Sequence, residues 1–128
     1  MKKIFLLVLI LVAQIYANSF DDGYYWQTIK KDNKKAVEHY TKAIAKGEDL
    51  DNAYYNRGVC YDDLHKYDLA IADYKQAIII NPKDKDAYHN LGLIYLEKKR
   101  YDEAKVLAKT NCDMGDCELS DLIKKEGY

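Results

Sequence analysis

Apolar and small residues recur at spacings of three and four along most of the chain, a pattern that predicts α-helices. Residues 51–64 place Tyr54, Gly58 and Tyr61 on one helical face. Residues 67–80 form a second helix, which ends before Pro82 because proline disfavours a helical conformation in the preceding residue. The apolar stripe of this second helix consists of Ala70, Ile71, Tyr74, Ala77 and Ile78. The two segments therefore predict a helical hairpin with one apolar side that a neighbour must cover.

The pattern returns 34 positions later. Residues 86–97 repeat the first helix, residues 101–109 repeat the second, and residues 51–75 share nine identities with residues 85–109. The identical positions of the first copy are Ala53, Tyr54, Asn56, Gly58, Tyr61, Tyr67, Asp68, Ala70 and Lys75. A period of this length indicates stacked helical hairpins, so the sequence predicts an all-α fold.

These positions resemble the tetratricopeptide repeat (TPR), whose signature places an aromatic residue, Leu-Gly, Tyr, Ala, an aromatic residue and Pro in that order. The first copy has Tyr54, Arg57-Gly58, Tyr61, Ala70, Tyr74 and Pro82, and the second has Tyr88, Leu91-Gly92, Tyr95 and Ala104. Arg57 departs from the signature, in which leucine is usual. The resemblance implies a short α-solenoid of TPR helical hairpins with a C-terminal capping helix.

The repeat is incomplete at its N-terminal end. Residues 34–46 match the second helix of an earlier unit, but the preceding first helix, within residues 20–31, is out of register. Gln27 occupies the expected tyrosine position and Trp26 lies beside it. A shortened turn at Asp32-Asn33 is the change that we expect to restore the fit.

The repeat also weakens at its C-terminal end. Ala108 replaces the second-helix aromatic residue and Asn111 replaces the following alanine, which predicts a weaker helix that ends early. Residues 118–125 then form an amphipathic segment with Leu119, Leu122 and Ile123 on one face. Repeat stacks need a terminal element of this kind to cover their last apolar surface.

The N-terminal segment has the layout of a secretory signal peptide, in which a basic start precedes an apolar run and then small residues. Lys2 and Lys3 are followed by an apolar run at positions 4–13. We expect cleavage after Ala17, with Ala13 as the second choice, and no membrane span in the cleaved protein. An uncleaved membrane anchor is the alternative. The expected type is a small exported bacterial protein, placed in the periplasm or, alternatively, secreted.

Charge excludes one class of partner. Removing residues 1–17 lowers lysine plus arginine from 20 to 18 while the 21 acidic residues remain, a net charge of −3. The charges are mixed and form no basic stripe, so nucleic-acid binding is not expected.

Cys112 and Cys117 are predicted to form a disulfide, because export favours disulfides. Five residues of continuous helix rise about 7.5 Å, more than most disulfides span, but Gly115 breaks the helix and lets the two cysteines meet. A redox-active pair and unpaired or intermolecular cysteines are the alternatives. Cys60 is expected to be a free, buried residue that packs as a small hydrophobe.

Taken together, these patterns divide the chain into residues 1–17 (signal peptide), 18–50 (degenerate TPR-like unit), 51–84 (complete TPR), 85–112 (second TPR with a degenerate end) and 113–128 (disulfide loop and capping helix).

The sequence contains few residues in patterns that indicate metal binding or catalysis. His39, His65 and His89 have no second histidine, cysteine or carboxylate at a recognisable ligand spacing, so no metal site is expected. The carboxylates are scattered, and the sequence has no serine nucleophile motif and no glycine-rich phosphate loop. We therefore expect no catalytic residue, no cofactor and no enzymatic activity.

The resemblance implies that first helices line a concave face across which a partner peptide or protein lies. The candidate groove residues lie one turn from the packing face: Asn52, Tyr55, Asn56, Val59, Asp62, Asp86, His89, Asn90, Leu93 and Leu96. Asn56 and Asn90 share the repeat phase, and an amide both donates to and accepts from an extended backbone. Acidic residues on this surface favour a basic or apolar segment over the C-terminal carboxylate that some family members bind.

Partner binding is the favoured function. A structural subunit of an envelope assembly is the first alternative, and a thiol-active redox protein is the second. The sequence leaves the oligomeric state open.

Overall fold

The computed structural model describes residues 1–16 and 18–128, so Ala17, the preferred cleavage position, lies outside the described residues. The described part of the chain contains eight helices and no strand, which confirms the all-α prediction. The helices are α1 (Lys2–Tyr16), α2 (Ser19–Thr28), α3 (Asn33–Lys46), α4 (Leu50–Asp63), α5 (Tyr67–Ile80), α6 (Lys85–Glu97), α7 (Tyr101–Asp113) and α8 (Glu118–Glu126). Within the described residues, every helix falls short of the length and apolar character that a membrane span requires.

Helices α2 to α8 form a chain of neighbours in which each helix packs against the next. The pairs α2–α3, α4–α5 and α6–α7 are helical hairpins, and α8 packs mainly on α7 with a smaller contact on α6. This order is that of a helical repeat solenoid with a terminal capping helix, because each hairpin contacts only its neighbours.

The hairpin connections share one backbone conformation. Each contains a lysine or histidine with a left-handed backbone: φ is 54° at Lys31, 57° at His65 and 58° at Lys99. The closing hydrogen bonds run from Lys66 N–H to the Tyr61 carbonyl (2.8 Å) and, in the first hairpin, from Asp32 N–H to the Trp26 carbonyl (2.9 Å). The first connection therefore contains one residue more than the second.

This extra residue corrects the expected register of the first unit. The turn at Asp32-Asn33 is longer, not shorter, than its equivalents, so α2 is displaced by one position along the sequence. Gly23, not Tyr24, is the equivalent of Gly58. A Cβ on Gly23 would lie 2.7 Å from the ring of Tyr40, just as one on Gly58 would lie 3.0 Å from the ring of Tyr74.

The core consists of two clusters. The smaller contains Ala36, Tyr40 and Cys60, with Phe20, Trp26 and Val37 packed against it. The larger extends from Ala70 to Ile123 and joins α5, α6, α7 and α8.

The expectation that α7 ends early is wrong, since the helix continues to Asp113. Its Asn111 is fully buried, and the Nδ2 of Asn111 donates to Asp116 Oδ2 at 3.1 Å.

Candidate functional site

The ten candidate groove residues belong to α4 and α6, and all ten are at least partly exposed. Asn52, Asp86 and Leu93 are the most open of them. Tyr55, Val59 and Leu96 also pack against the larger core cluster. These three side chains therefore contribute to core packing as well as to the exposed face. Asp86 and Leu93 can be changed with less effect on packing.

Tyr55 and Asn90 connect the two first helices. The Nδ2 of Asn90 donates to the Tyr55 hydroxyl at 3.1 Å, and the Tyr55 ring lies 5.8 Å from that of Tyr74. Burial, followed by the charges of Asp86 and Asp84, raises the pKa of Tyr55. The amide nitrogen of Asn90 thus has a partner within the protein, which the sequence could not show.

The face formed by α4 and α6 carries acidic residues at both of its ends. Burial first, and then Asp63 and Glu97, raise the pKa of Asp62, although His65 partly opposes the shift. At the other end, burial is the main cause that raises the pKa of Asp84. Both shifts mean that the folded protein holds these carboxylates in surroundings that disfavour their negative charge.

Arg57 is a residue whose role the sequence analysis missed. Its Nε and Nη2 donate to the Oδ2 and Oδ1 of Asp73 at 2.7 and 2.8 Å, and its Nη1 donates to Thr41 Oγ1 at 3.0 Å. The Asp73 side chain is 6% exposed. Arg57 therefore joins α4 to α3 and α5 and is not free to bind an anionic ligand.

The structure joins Cys112 and Cys117 in a disulfide, with their Cα atoms 4.0 Å apart. Gly115, between them, has a φ of 92° that favours glycine. Cys60 is free and buried, and burial, followed by Asp63, raises the pKa of its thiol to about 12. At neutral pH the Cys60 thiol therefore stays protonated and unreactive.

The histidines have different surroundings. Nδ1 of His39 lies 3.7 Å from Asp22 Oδ2, and Nδ1 of His65 lies 3.0 Å from the Tyr67 hydroxyl. His89 lies beside two carboxylates, and one ligand atom each of His89, Asp116 and Glu118 lie within 4.8 Å of one another. Sequence spacing could not reveal this group, because α6 and the residues around the start of α8 meet only in the folded chain.

Comparison with known proteins identifies the repeat. Two tetratricopeptide repeat family models match, over residues 52–84 and residues 73–106. The chain is 42% identical over 52 residues to neutrophil cytosol factor 2 of Homo sapiens and 42% identical over 53 residues to heat shock protein STI1 of Saccharomyces cerevisiae. Each match covers 41% of this chain but only 10% and 9% of the two relatives, so the chain corresponds to about a tenth of either.

Solved structures extend the likeness over most of the chain. The crystal structure of MamA has a TM-score of 0.72 and 29% identity, covering 86% of this chain and 60% of that one. The second TPR of Spaghetti (RPAP3) bound to HSP90 peptide SRMEEVD has a TM-score of 0.68 and 26% identity, covering 75% and 88%. The Arabidopsis OM64 TPR domain has a TM-score of 0.74 and 25% identity, covering 84% and 89%. The two matching repeat models and the stacked hairpins therefore show that residues 52–106 of the chain are tetratricopeptide repeats.

Proposed function

We propose that the protein is a non-enzymatic binding module that holds a segment of a partner protein across the face formed by α4 and α6. The observation that carries this proposal is the combination of exposed Asp86 and Leu93 on that face with acidic residues at both of its ends. A related TPR domain of similar fold is bound to a peptide, which supports a peptide or protein as the ligand.

The chemistry of the partner follows from charge. The peptide bound to the Spaghetti domain, SRMEEVD, has three acidic residues among its last four. On the present chain, Asp62 and Asp86 lie on the proposed binding face, and Arg57 is occupied by Asp73. A segment that carries lysine or arginine next to apolar residues fits this face, whereas an acidic segment is repelled.

The unfavourable surroundings of the Asp62 carboxylate support the same conclusion. Burial and the like charges of Asp63 and Glu97 disfavour its ionised form and raise its pKa. A cationic partner group would offset that cost when it binds. An acidic surface kept against its own repulsion is therefore consistent with a ligand of opposite charge.

We also propose that residues 1–17 direct export to a periplasm-like compartment. Large apolar side chains of α1 are exposed, among them Phe5 at 69% and Leu11 at 57%, and both core clusters of the described residues lie in the chain beyond it. An apolar helix without a place in the core suits a segment that is recognised and removed.

The binding proposal is tested with two groove variants and two matched controls. Asp86→Lys reverses an exposed charge in the first turn of α6, and Asp102→Lys reverses an exposed charge in the first turn of α7. Leu93→Gln and Val106→Gln are the corresponding apolar pair, at 37% and 66% exposure. Fluorescence anisotropy with labelled extended peptides, either Lys/Arg-rich with apolar residues or Glu/Asp-rich, reports the affinity.

We expect the basic peptides to bind and the acidic ones not to bind. Asp86→Lys and Leu93→Gln should each weaken binding about tenfold, in line with a loss of roughly 1.4 kcal/mol at one contact, while both α7 variants bind as the unaltered protein does. Preferred binding of acidic peptides, or equal losses in the α6 and α7 variants, would contradict the proposal. A photo-crosslinking residue at position 93, compared with one at position 106, then identifies the partner in the native compartment.

A further inference from the structure

A histidine and two carboxylates meet at the C-terminal end of the solenoid. His89 lies on α6, Asp116 lies in the connection that follows α7, and Glu118 begins α8. One ligand atom of each lies within 4.8 Å of the others. His89 and Asp116 are half-buried, and Glu118 is exposed, so the group is reachable from solvent.

Direct pairing does not explain this arrangement. Among the described residues, no hydrogen bond or ion pair joins His89 to Asp116 or Glu118. Nδ1 of His89 is buried and has no hydrogen-bond partner in the described part of the chain. Native proteins rarely leave a buried polar atom without a partner, so the unpartnered nitrogen marks His89 as a residue that a further bound group would satisfy.

The Asp116 carboxylate is held in position before any ligand arrives. Asn111, which is fully buried, donates to Asp116 Oδ2 at 3.1 Å, and Asp116 Oδ1 accepts from the Glu118 N–H at 3.2 Å. Cys117, between the two carboxylates, is fixed by its disulfide to Cys112. Hydrogen bonds of this kind orient the carboxylates that bind metals.

We propose that His89, Asp116 and Glu118 bind a divalent transition cation of the zinc class. One imidazole nitrogen and two carboxylate oxygens are a ligand set that zinc accepts, and three protein ligands leave a coordination position open. Ca²⁺ takes six to eight oxygen ligands and Mg²⁺ prefers an octahedron of oxygens, so neither suits an imidazole with two acids. The open position is available to water or to a side chain of another molecule. Of the three ligands, only His89 also belongs to the candidate groove, and metal binding is measured without any peptide.

Isothermal titration of ZnCl₂ into the purified protein without a histidine tag tests the proposal. We expect one saturable site, which His89→Gln and Glu118→Gln each weaken about tenfold or more. His65→Gln is the matched control, since His65 lies in an exposed helical connection far along the chain from Asp116 and Glu118. Glu118 is exposed, so its variant is expected to fold normally, and circular dichroism verifies this for all three.

Titration with CaCl₂ measures selectivity, and the absorption spectrum of bound Co²⁺ reports whether nitrogen and oxygen ligands surround the metal. Weak or absent Ca²⁺ binding and a Co²⁺ spectrum lost in His89→Gln support the site. The proposal is overturned if Zn²⁺ shows no saturable binding, if His89→Gln and Glu118→Gln bind it unchanged, or if Ca²⁺ binds as tightly as Zn²⁺.

Discussion

At the residue scale, one position between the paired helices of each hairpin is filled in three different ways. Allowing for the extra residue in the first connection, the equivalent pairs are Asp22–His39, Arg57–Asp73 and Leu91–Leu107. The first is a 3.7 Å contact, the second a bidentate ion pair at 2.7 and 2.8 Å, and the third belongs to the larger apolar core cluster. The fold therefore accepts a histidine–carboxylate contact, an ion pair or two leucines here, but each partner depends on the other.

This dependence predicts the outcome of exchanging the middle pair for the last. Arg57→Leu leaves the buried Asp73 carboxylate without its partner, and we expect a loss of roughly 3–5 kcal/mol in the free energy of unfolding. The double variant Arg57→Leu/Asp73→Leu recreates the leucine pair of the next repeat and should recover most of that loss. Urea denaturation of the two single variants and the double variant gives the coupling free energy of the pair.

The exposed pair Arg100–Glu103, whose atoms lie 2.7 Å apart, is the control for this cycle. Glu103→Ala should leave stability nearly unchanged, because solvent screens exposed charges. A double variant no more stable than Arg57→Leu alone would show that the leucine pair cannot replace the ion pair.

At the element scale, the sequence predicted the hairpins wherever the repeat is regular. Helix α5 begins and ends at the predicted residues, and α4 begins one residue earlier than expected. The register of α2 could not be predicted, because a single added residue in the connection to α3 moved Gly23 out of the 34-residue period. The His89 group was equally hidden, since its members are distant in sequence and meet only through the docking of α8 on α6.

The capping helix supplies a side chain that the last repeat has lost. Tyr40 covers Gly23 and Tyr74 covers Gly58, but the equivalent residue of α7 is Ala108, which is too short. Leu119 of α8 occupies this space instead, in contact with the position where a Cβ on Gly92 would lie. The weak end of the repeat is thus completed by a residue from the following element.

Truncating this side chain should therefore destabilise the fold strongly. Leu119 is fully buried, and we expect Leu119→Ala to lower the free energy of unfolding by about 2–5 kcal/mol, as large-to-small core substitutions do. Leu122→Ala, on a half-buried position of the same helix, is the control and should have a smaller effect. Chemical denaturation measures both, and equal losses would mean that α8 covers the stack without depending on the Leu119–Gly92 contact.

At the scale of the whole molecule, hydrogen bonds from residues at the end of the first hairpin hold the N-terminus of α2 in place. Glu48, in the connection between α3 and α4, accepts hydrogen bonds from the Ser19 N–H at 2.7 Å and the Phe20 N–H at 3.2 Å. Lys46 Nζ donates to Ser19 Oγ at 2.8 Å, and Asn18 Oδ1 accepts from the Phe20 N–H. A carboxylate at a helix N-terminus also interacts favourably with the helix dipole. These contacts secure α2 without any residue of α1.

We therefore predict that residues 1–17 are removed on export, so that the processed protein begins at Asn18, and that the chain 18–128 is as stable as the longer form. Cleavage after Ala17 leaves Asn18 in place to cap α2, and the new α-amino group lies next in sequence to the residues that Glu48 binds. Intact-mass measurement of the protein recovered from the exported fraction gives the start of the chain, and thermal unfolding compares the two forms. Ala17→Arg, which removes the small residue at the junction, should prevent processing.

Glu48→Gln in the shortened chain should lower its melting temperature, because the neutral amide interacts less favourably with the N-terminus of α2. An unprocessed mass, a start at Gln14, or a marked loss of stability in the shortened chain would each contradict the prediction.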